Sequence, residues 1–202
     1  MTDERRATGD VMARAAQRGF VTARLPHTID RDDYTPALLA LLSNVLVWGG
    51  SRVFHHVHGI GTNEWRIVSA LGNHPGATSG ELCVILGINK SIASRSVNVL
   101  LDRDLIAQLD GPRGSRHLYL TPAGARVHDD VMPIALRRQE ILHQSLTADE
   151  VVQLNGMLVR MLDSADAMQR YENEILAGDA PDDRPAAGAK MSRSGSKSVS
   201  GR

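Results

Sequence analysis

The sequence predicts a mainly α-helical fold: a winged helix-turn-helix with a small β-hairpin wing, plus N- and C-terminal helices that form a dimerisation region. Three observations carry this. Thr78-Ser-Gly-Glu81 is a capping box that opens a short helix containing Leu82, Val84, Ile85 and Leu86. Gly87 ends that helix and Asn89 caps the next, which gives a helix, a brief Gly-containing turn and a second helix. Two strands then follow, Leu105 to Asp110 and His117 to Thr121, with Gly111-Pro112 and Gly114 bending the chain between them.

The remaining elements follow from local signals. Residues 1–32 are polar with irregular spacing and read as an N-terminal arm, in which Asp10 to Arg18 can form a helical turn or two. Asp33 or Thr35 begins a helix to about Val57, with Pro36 tolerated in its first turn and Gly49-Gly50 available for a kink. It is apolar nearly all round over Leu38, Leu39, Leu41, Leu42, Val45, Leu46 and Val47. A helix apolar on every side must be buried on every side, so a second subunit is expected. Thr62 is read as the cap of a helix from Asn63 to about Leu71. Thr121-Pro122 opens a helix to about His143, divided or kinked at Pro133. Thr147-Ala-Asp-Glu150 is another capping box, ahead of a stripe made by Val151, Leu154, Leu158, Met161 and Leu162. The organisation is therefore dimerisation helices at 33–60 and 122–176 around a DNA-binding lobe at 61–121. A disordered basic tail is expected at 177–202.

Composition limits the function. The chain has 202 residues, 42% hydrophobic and 23% charged, with a formal net charge of zero. Any nucleic-acid binding must then rest on a local patch, and Lys90, Arg95, Arg103, Arg113 and Arg116 supply one, partly offset by Asp102, Asp104 and Asp110. A single cysteine, Cys83, suits a reducing cytoplasm. The N-terminus lacks the apolar run of a signal peptide. The longest apolar stretch, Ala37 to Trp48, falls short of the ~20 residues of a membrane span, so a cytoplasmic protein with no membrane partner is expected. No glycine elbow, nucleotide loop or paired His-Glu-His motif is present, so neither catalysis nor a cofactor is expected.

The helix after Asn89 carries Ser91, Ser94, Arg95 and Asn98 at i, i+3, i+4, i+7, with Lys90 beside them. Ala93, Val97 and Leu100 form an apolar stripe behind. Such a helix is equipped for a major groove: Arg95 can bond a guanine edge, Asn98 an adenine, and Lys90, Ser91 and Ser94 the phosphates. Thr78, Ser79 and Asn89 stand at helix N-termini, where a phosphate can also bind. Arg113 and Arg116 lie in the wing.

In order and spacing these parts resemble the MarR family of winged-helix transcriptional regulators, over roughly residues 35–170. The likeness is carried by Asn63-Glu-Trp-Arg-Ile-Val68, by Gly80-Glu-Leu82 before Leu86-Gly-Ile88, and by Asn89-Lys-Ser91 leading into Ser94-Arg95. Leu105-Ile106, Tyr119-Leu-Thr-Pro-Ala-Gly124 and Leu146-Thr-Ala-Asp-Glu150 continue it. The resemblance implies an obligate homodimer held by the first and last helices, and the twofold symmetry expected from the apolar helix at Leu38 to Val47 predicts an inverted-repeat operator. It also implies a site for a small aromatic or phenolic acid between the dimer helices and the lobe, whose occupation relieves repression. Two departures stand out. Asp104 occupies the place where the family usually has Gly, and Pro112-Arg113-Gly114 stands at the wing tip, which leaves Arg113 or Arg116 to reach the minor groove.

Asn44, Trp48 and Arg52 fall at i, i+4, i+8, followed by His56. This polar strip can line the effector pocket, with Arg52 on a carboxylate and Trp48 on a ring, and Arg66 is the next candidate. An interface hydrogen-bond network explains the strip equally well. The alternative function is a metal- or redox-responsive sensor using His55, His56 and His58 or Cys83. The histidines lack helical i, i+4 spacing, and Cys83 has no basic neighbour in sequence, so no metal site is expected.

Overall fold

A computed structural model describes residues 2–178, with side chains from residue 9 onward. The tail expected to be disordered lies, past Gly178, outside the described residues. The described residues divide into two compact units, one up to Leu136 and one from Arg137 onward.

The first unit begins with α1 (Thr2–Gln17), longer than the turn or two expected within a polar arm. Ala13, Ala15 and Ala16 favour helix, and Asp10 and Arg14 pair one turn apart at 3.7 Å. An irregular segment then leads to α2 (Thr35–His58), which runs unbroken through Gly49-Gly50.

By length and composition α2 could cross a membrane. Its packing argues for another use. Gly50 and Phe54 are buried, and the Thr62 hydroxyl donates to the Val47 carbonyl at 2.8 Å. The Thr62 N–H donates to Ser51 Oγ at 3.1 Å. One side of the C-terminal half of α2 is thus built into the lobe that follows. Elsewhere Leu41, Leu42, Val45 and Trp48 are exposed in a single chain.

The lobe comprises α3 (Thr62–Asn73), α4 (Ser79–Leu86), α5 (Lys90–Asp102), β1 (Ile106–Asp110) and β2 (Arg116–Leu120). Gly61, rather than Thr62, caps α3; its N–H donates to Glu64 Oε2 at 2.9 Å while the Thr62 hydroxyl is drawn away to α2. The Thr78 and Asn89 caps form as read, and Gly87 closes α4 in the left-handed region. β1 and β2 pair antiparallel, Ile106 opposite Leu120 and Asp110 opposite Arg116, around a short turn at Pro112–Gly114.

Asp104, with φ 54°, ends α5 in the left-handed region where glycine is usual. The Leu105 N–H reaches the Leu100 carbonyl and the Asp104 N–H the Leu101 carbonyl, both at 3.0 Å, which is the Schellman pattern.

Ile67, Val68, Leu71, Leu82, Val97, Leu100, Ile106 and Leu118 form the core. Phe54 of α2 closes it, as do Val127 and Val131 of α6 (Pro122–His143). Trp65 packs against this core between Phe54 and His128, at ring distances of 5.8 and 5.7 Å. α6 passes through Pro133 without division.

The second unit contains α7 (Ala148–Leu162), opened by the Thr147 capping box, and α8 (Ala165–Ala177), separated from it at Asp163-Ser164. No residue of α7 or α8 is buried. Val152, Val159, Leu162 and Leu176 are strongly exposed, so these helices present apolar side chains to solvent.

Candidate nucleic-acid interface

The polar stripe of α5 faces solvent. Lys90, Ser91, Ser94, Arg95 and Asn98 are all exposed, while Ala93, Ser96, Val97 and Leu100 are buried. α5 packs on α3 and α4, so its inner stripe anchors the outer one at a fixed angle.

Ser96 is the residue that sequence reasoning missed. It is 3% exposed, and its hydroxyl donates to Glu64 Oε1 at 2.5 Å. Glu64 uses its other oxygen on the Gly61 N–H, so one carboxylate joins the start of α3 to the middle of α5. Only the 32-residue separation hid the pair, since the Gly-x-x-Glu cap was readable locally.

The helix-end candidates are partly committed. Asn89 Oδ1 accepts the Ile92 N–H at 2.9 Å, which leaves its amide NH2 for a phosphate. The Thr78 hydroxyl donates to Glu81 Oε2 at 2.9 Å and accepts the Glu81 N–H at 3.3 Å, so Thr78 serves its cap first. Ser79 is exposed. The backbone and hydroxyl donors of Thr78 hold the Glu81 carboxyl below its ordinary pKa. A lowered folded value means that this cap is complete above the ordinary carboxylate range and is lost as pH falls through the folded value.

The wing is braced from below. The Gly76 N–H donates to the Leu118 carbonyl at 2.8 Å and the Leu118 N–H to the Ala77 carbonyl at 3.1 Å. His117 Nδ1 lies 2.7 Å from the Gly76 carbonyl and its Nε2 3.0 Å from Ser115 Oγ. The segment before α4 thereby acts as a third short strand edge, which the sequence did not announce.

At the tip, Arg113 is exposed with φ 58°, a left-handed conformation uncommon for a non-glycine residue. Arg116 is also exposed but lies opposite Asp110 in register. Arg103 does not belong to the basic patch as read: its guanidinium donates to the carbonyls of His58 and Gly59, each at 2.7 Å.

The effector candidates are not gathered in one chain. Asn44, Trp48, Arg52 and His56 are exposed on α2, and none of them lines a cleft identified among the described residues. Arg66 borders a cleft of about 280 Å³ with Trp65, Ser69 and Leu86, and its guanidinium donates to the Leu86 carbonyl. A neighbouring cleft of about 490 Å³ lies beside His74, Glu81, Val84 and Ile85. His55 is exposed, whereas His58 Nε2 lies 3.3 Å from Asp130 Oδ2, an acidic neighbour supplied by α6. No cluster of three or more metal-ligating side chains occurs among the described residues. Cys83 is a free, half-buried thiol.

Residues 58–117 match the model of the MarR family. The chain is similar to the HTH-type transcriptional regulator PetP of Rhodobacter capsulatus, with 26% identity over 173 residues, 85% of this chain and 87% of that protein. Its fold is similar to the crystal structure of a MarR/EmrR family transcriptional regulator from Acinetobacter sp. ADP1. That match has a TM-score of 0.64 and 26% identity, and covers 69% of this chain and 99% of that one. It is also similar to the PcaV transcriptional regulator of Streptomyces coelicolor in complex with its natural ligand, with a TM-score of 0.60 and 21% identity. There the match covers 69% of this chain and 99% of PcaV.

Proposed function

We propose that residues 58–117, which match the model of the MarR family, form a winged-helix DNA-binding domain, and that the protein is a homodimeric transcriptional regulator that represses by binding an inverted-repeat operator. The observation that carries the reading is α5: a helix buried along Ala93, Val97 and Leu100 that leaves Ser91, Ser94, Arg95 and Asn98 free on the opposite side. Two such helices related by a twofold axis fit two half-sites about one helical turn, ~10 bp, apart. Cytoplasmic location follows from this activity.

Arg95 and Asn98 are assigned to bases and Lys90, Ser91 and Ser94 to phosphates, with Ser79 and the side-chain amide of Asn89 adding helix-end contacts, while both donors of Thr78 are spent on Glu81. Arg113 is the better minor-groove candidate of the wing pair, because Arg116 is opposed by Asp110 and the tip holds Arg113 in a strained conformation. The test is operator binding as a function of salt. Arg95→Ala should cost roughly 1–3 kcal/mol and relax preference at one operator position. Arg113→Ala and Arg116→Ala should weaken all sequences together and each lower the salt slope by about 1. Unchanged affinity in all three variants would remove this surface from consideration.

The effector is proposed to be a small aromatic or phenolic acid bound where α2 of a dimer lies near the lobe. PcaV, a fold neighbour, is a regulator crystallised with its natural ligand. Arg52 offers a planar two-pronged donor for a carboxylate, and Trp48, one turn away and 73% exposed, offers an aromatic face. An acid that binds the folded dimer raises its melting temperature, so thermal-shift screening of aromatic acids identifies it. Arg52→Ala should abolish that shift and the release from operator while leaving operator affinity nearly intact. A wild-type shift in Arg52→Ala would move the site to the Arg66 cleft.

A further inference from the structure

We propose that Arg103 is a positioning residue: by fastening the end of α5 to the end of α2, it sets the half-site spacing that the protein accepts. The proposal rests on the reading of the protein as a twofold DNA-binding dimer.

Arg103 is the C-cap residue of α5. Its Nη1 donates to the Gly59 carbonyl and its Nη2 to the His58 carbonyl, each at 2.7 Å. These carbonyls stand at the C-terminus of α2, where the helix has no partner for them and its dipole favours a cation. Gly59 sits there with φ 64°, and a Cβ on it would lie 3.4 Å from the guanidinium nitrogens.

The residue after Arg103 makes the second fastening. The Asp104 carbonyl accepts the Thr121 hydroxyl at 2.6 Å, at the head of α6. His58 in turn meets Asp130 of α6 at 3.3 Å. Two consecutive residues therefore hold the base of the reading helix to the C-terminus of α2 and the N-terminus of α6.

The chemistry suits a strut better than a phosphate contact. Two N–H donors in a rigid plane, placed on neighbouring carbonyls, resist both sliding and twisting. A lysine ammonium places a point charge and resists neither as well. The free face of α2 is the surface assigned to the partner subunit, so the α2–α5 angle determines how far apart the two reading helices stand. Each base pair inserted between half-sites moves one of them by ~3.4 Å and by about a tenth of a turn. A stiff joint rejects that change and a loose one accepts it.

The experiment is in vitro selection from random duplex DNA with full-length wild type, Arg103→Met and Arg103→Lys. Wild type should select paired half-sites at one spacing. Arg103→Met keeps the aliphatic stem and should select the same half-site sequence. Its discrimination against spacings one base pair longer or shorter should fall about fivefold or more. Arg103→Lys should lie between the two. If Arg103→Met does not fold, the Lys variant is read alone, and broadened spacing supports the proposal. Wild-type spacing preference in the folded variants overturns it, and altered half-site bases make Arg103 a DNA contact instead. Single unpaired half-sites with wild type would refute the dimeric reading itself, a result distinct from failure of the strut.

Discussion

Gly124→Ala should remove roughly 3 kcal/mol of stability, the upper end of what overpacking costs. A Cβ built on Gly124 lies 1.9 Å from the Leu105 carbonyl oxygen and 2.9 Å from its carbon. Backbone cannot swing aside as a side-chain tip can, and this carbonyl is already engaged by the Thr121 N–H at 3.1 Å. Gly124 is buried in the first turn of α6, where its own N–H donates to Thr121 Oγ1 at 3.0 Å. Any retreat of α6 would therefore break the cap and pull Val127 and Val131 from the core. For a domain of this size the loss corresponds to a fall in melting temperature of about 6–12 °C. Gly80→Ala is the matched control. Its Cβ meets only Thr78 Oγ1, at 3.9 Å, inside α4, and alanine is the better helix former, so a small gain of about 0.5–1 kcal/mol is expected. Equal melting temperatures for wild type and Gly124→Ala would show that α6 can shift without cost.

Gly124 illustrates what sequence could and could not give. Its place in the Tyr119–Gly124 run was visible, but its physical reason is a through-space approach to a carbonyl nineteen residues earlier. Signals that act within one turn were legible: the Thr78, Asn89 and Thr147 caps, the Gly87 stop and the buried Ala93, Val97 and Leu100 stripe all stand where local chemistry puts them. Features that depend on a distant partner were not. Thr62 lost its expected capping role to the Val47 carbonyl, Ser96 was buried by Glu64, and Arg103 left the basic patch for α2. The effector strip is obscure for a further reason. Asn44, Trp48 and Arg52 are all exposed on α2, so neither burial nor a partner among the described residues marks them as a pocket.

Val45→Glu is the substitution that tests the cover. Val45 is 68% exposed in one chain and lies on a stripe with Leu38, Leu41 and Trp48, all exposed. Within a single chain nothing is lost by the change, since Glu is a better helix former than Val and the side chain is solvated. The lobe should stay folded, because α2 joins its core through Gly50 and Phe54 rather than through this stripe. In a dimer the result differs. Burying a valine contributes about 1.5–3 kcal/mol, and a carboxylate in its place adds a desolvation cost. A twofold interface counts each substitution twice, for a total of about 4 kcal/mol or more. The dimer dissociation constant should then rise by roughly a thousandfold. Sedimentation equilibrium at micromolar concentration should find wild type dimeric and Val45→Glu monomeric, with similar helical circular dichroism. Operator binding should collapse with the dimer, because a single reading helix retains only one half-site. A dimeric Val45→Glu would place the interface elsewhere. A wild-type protein recovered with the membrane fraction would instead assign this face to lipid, the other environment its hydropathy permits.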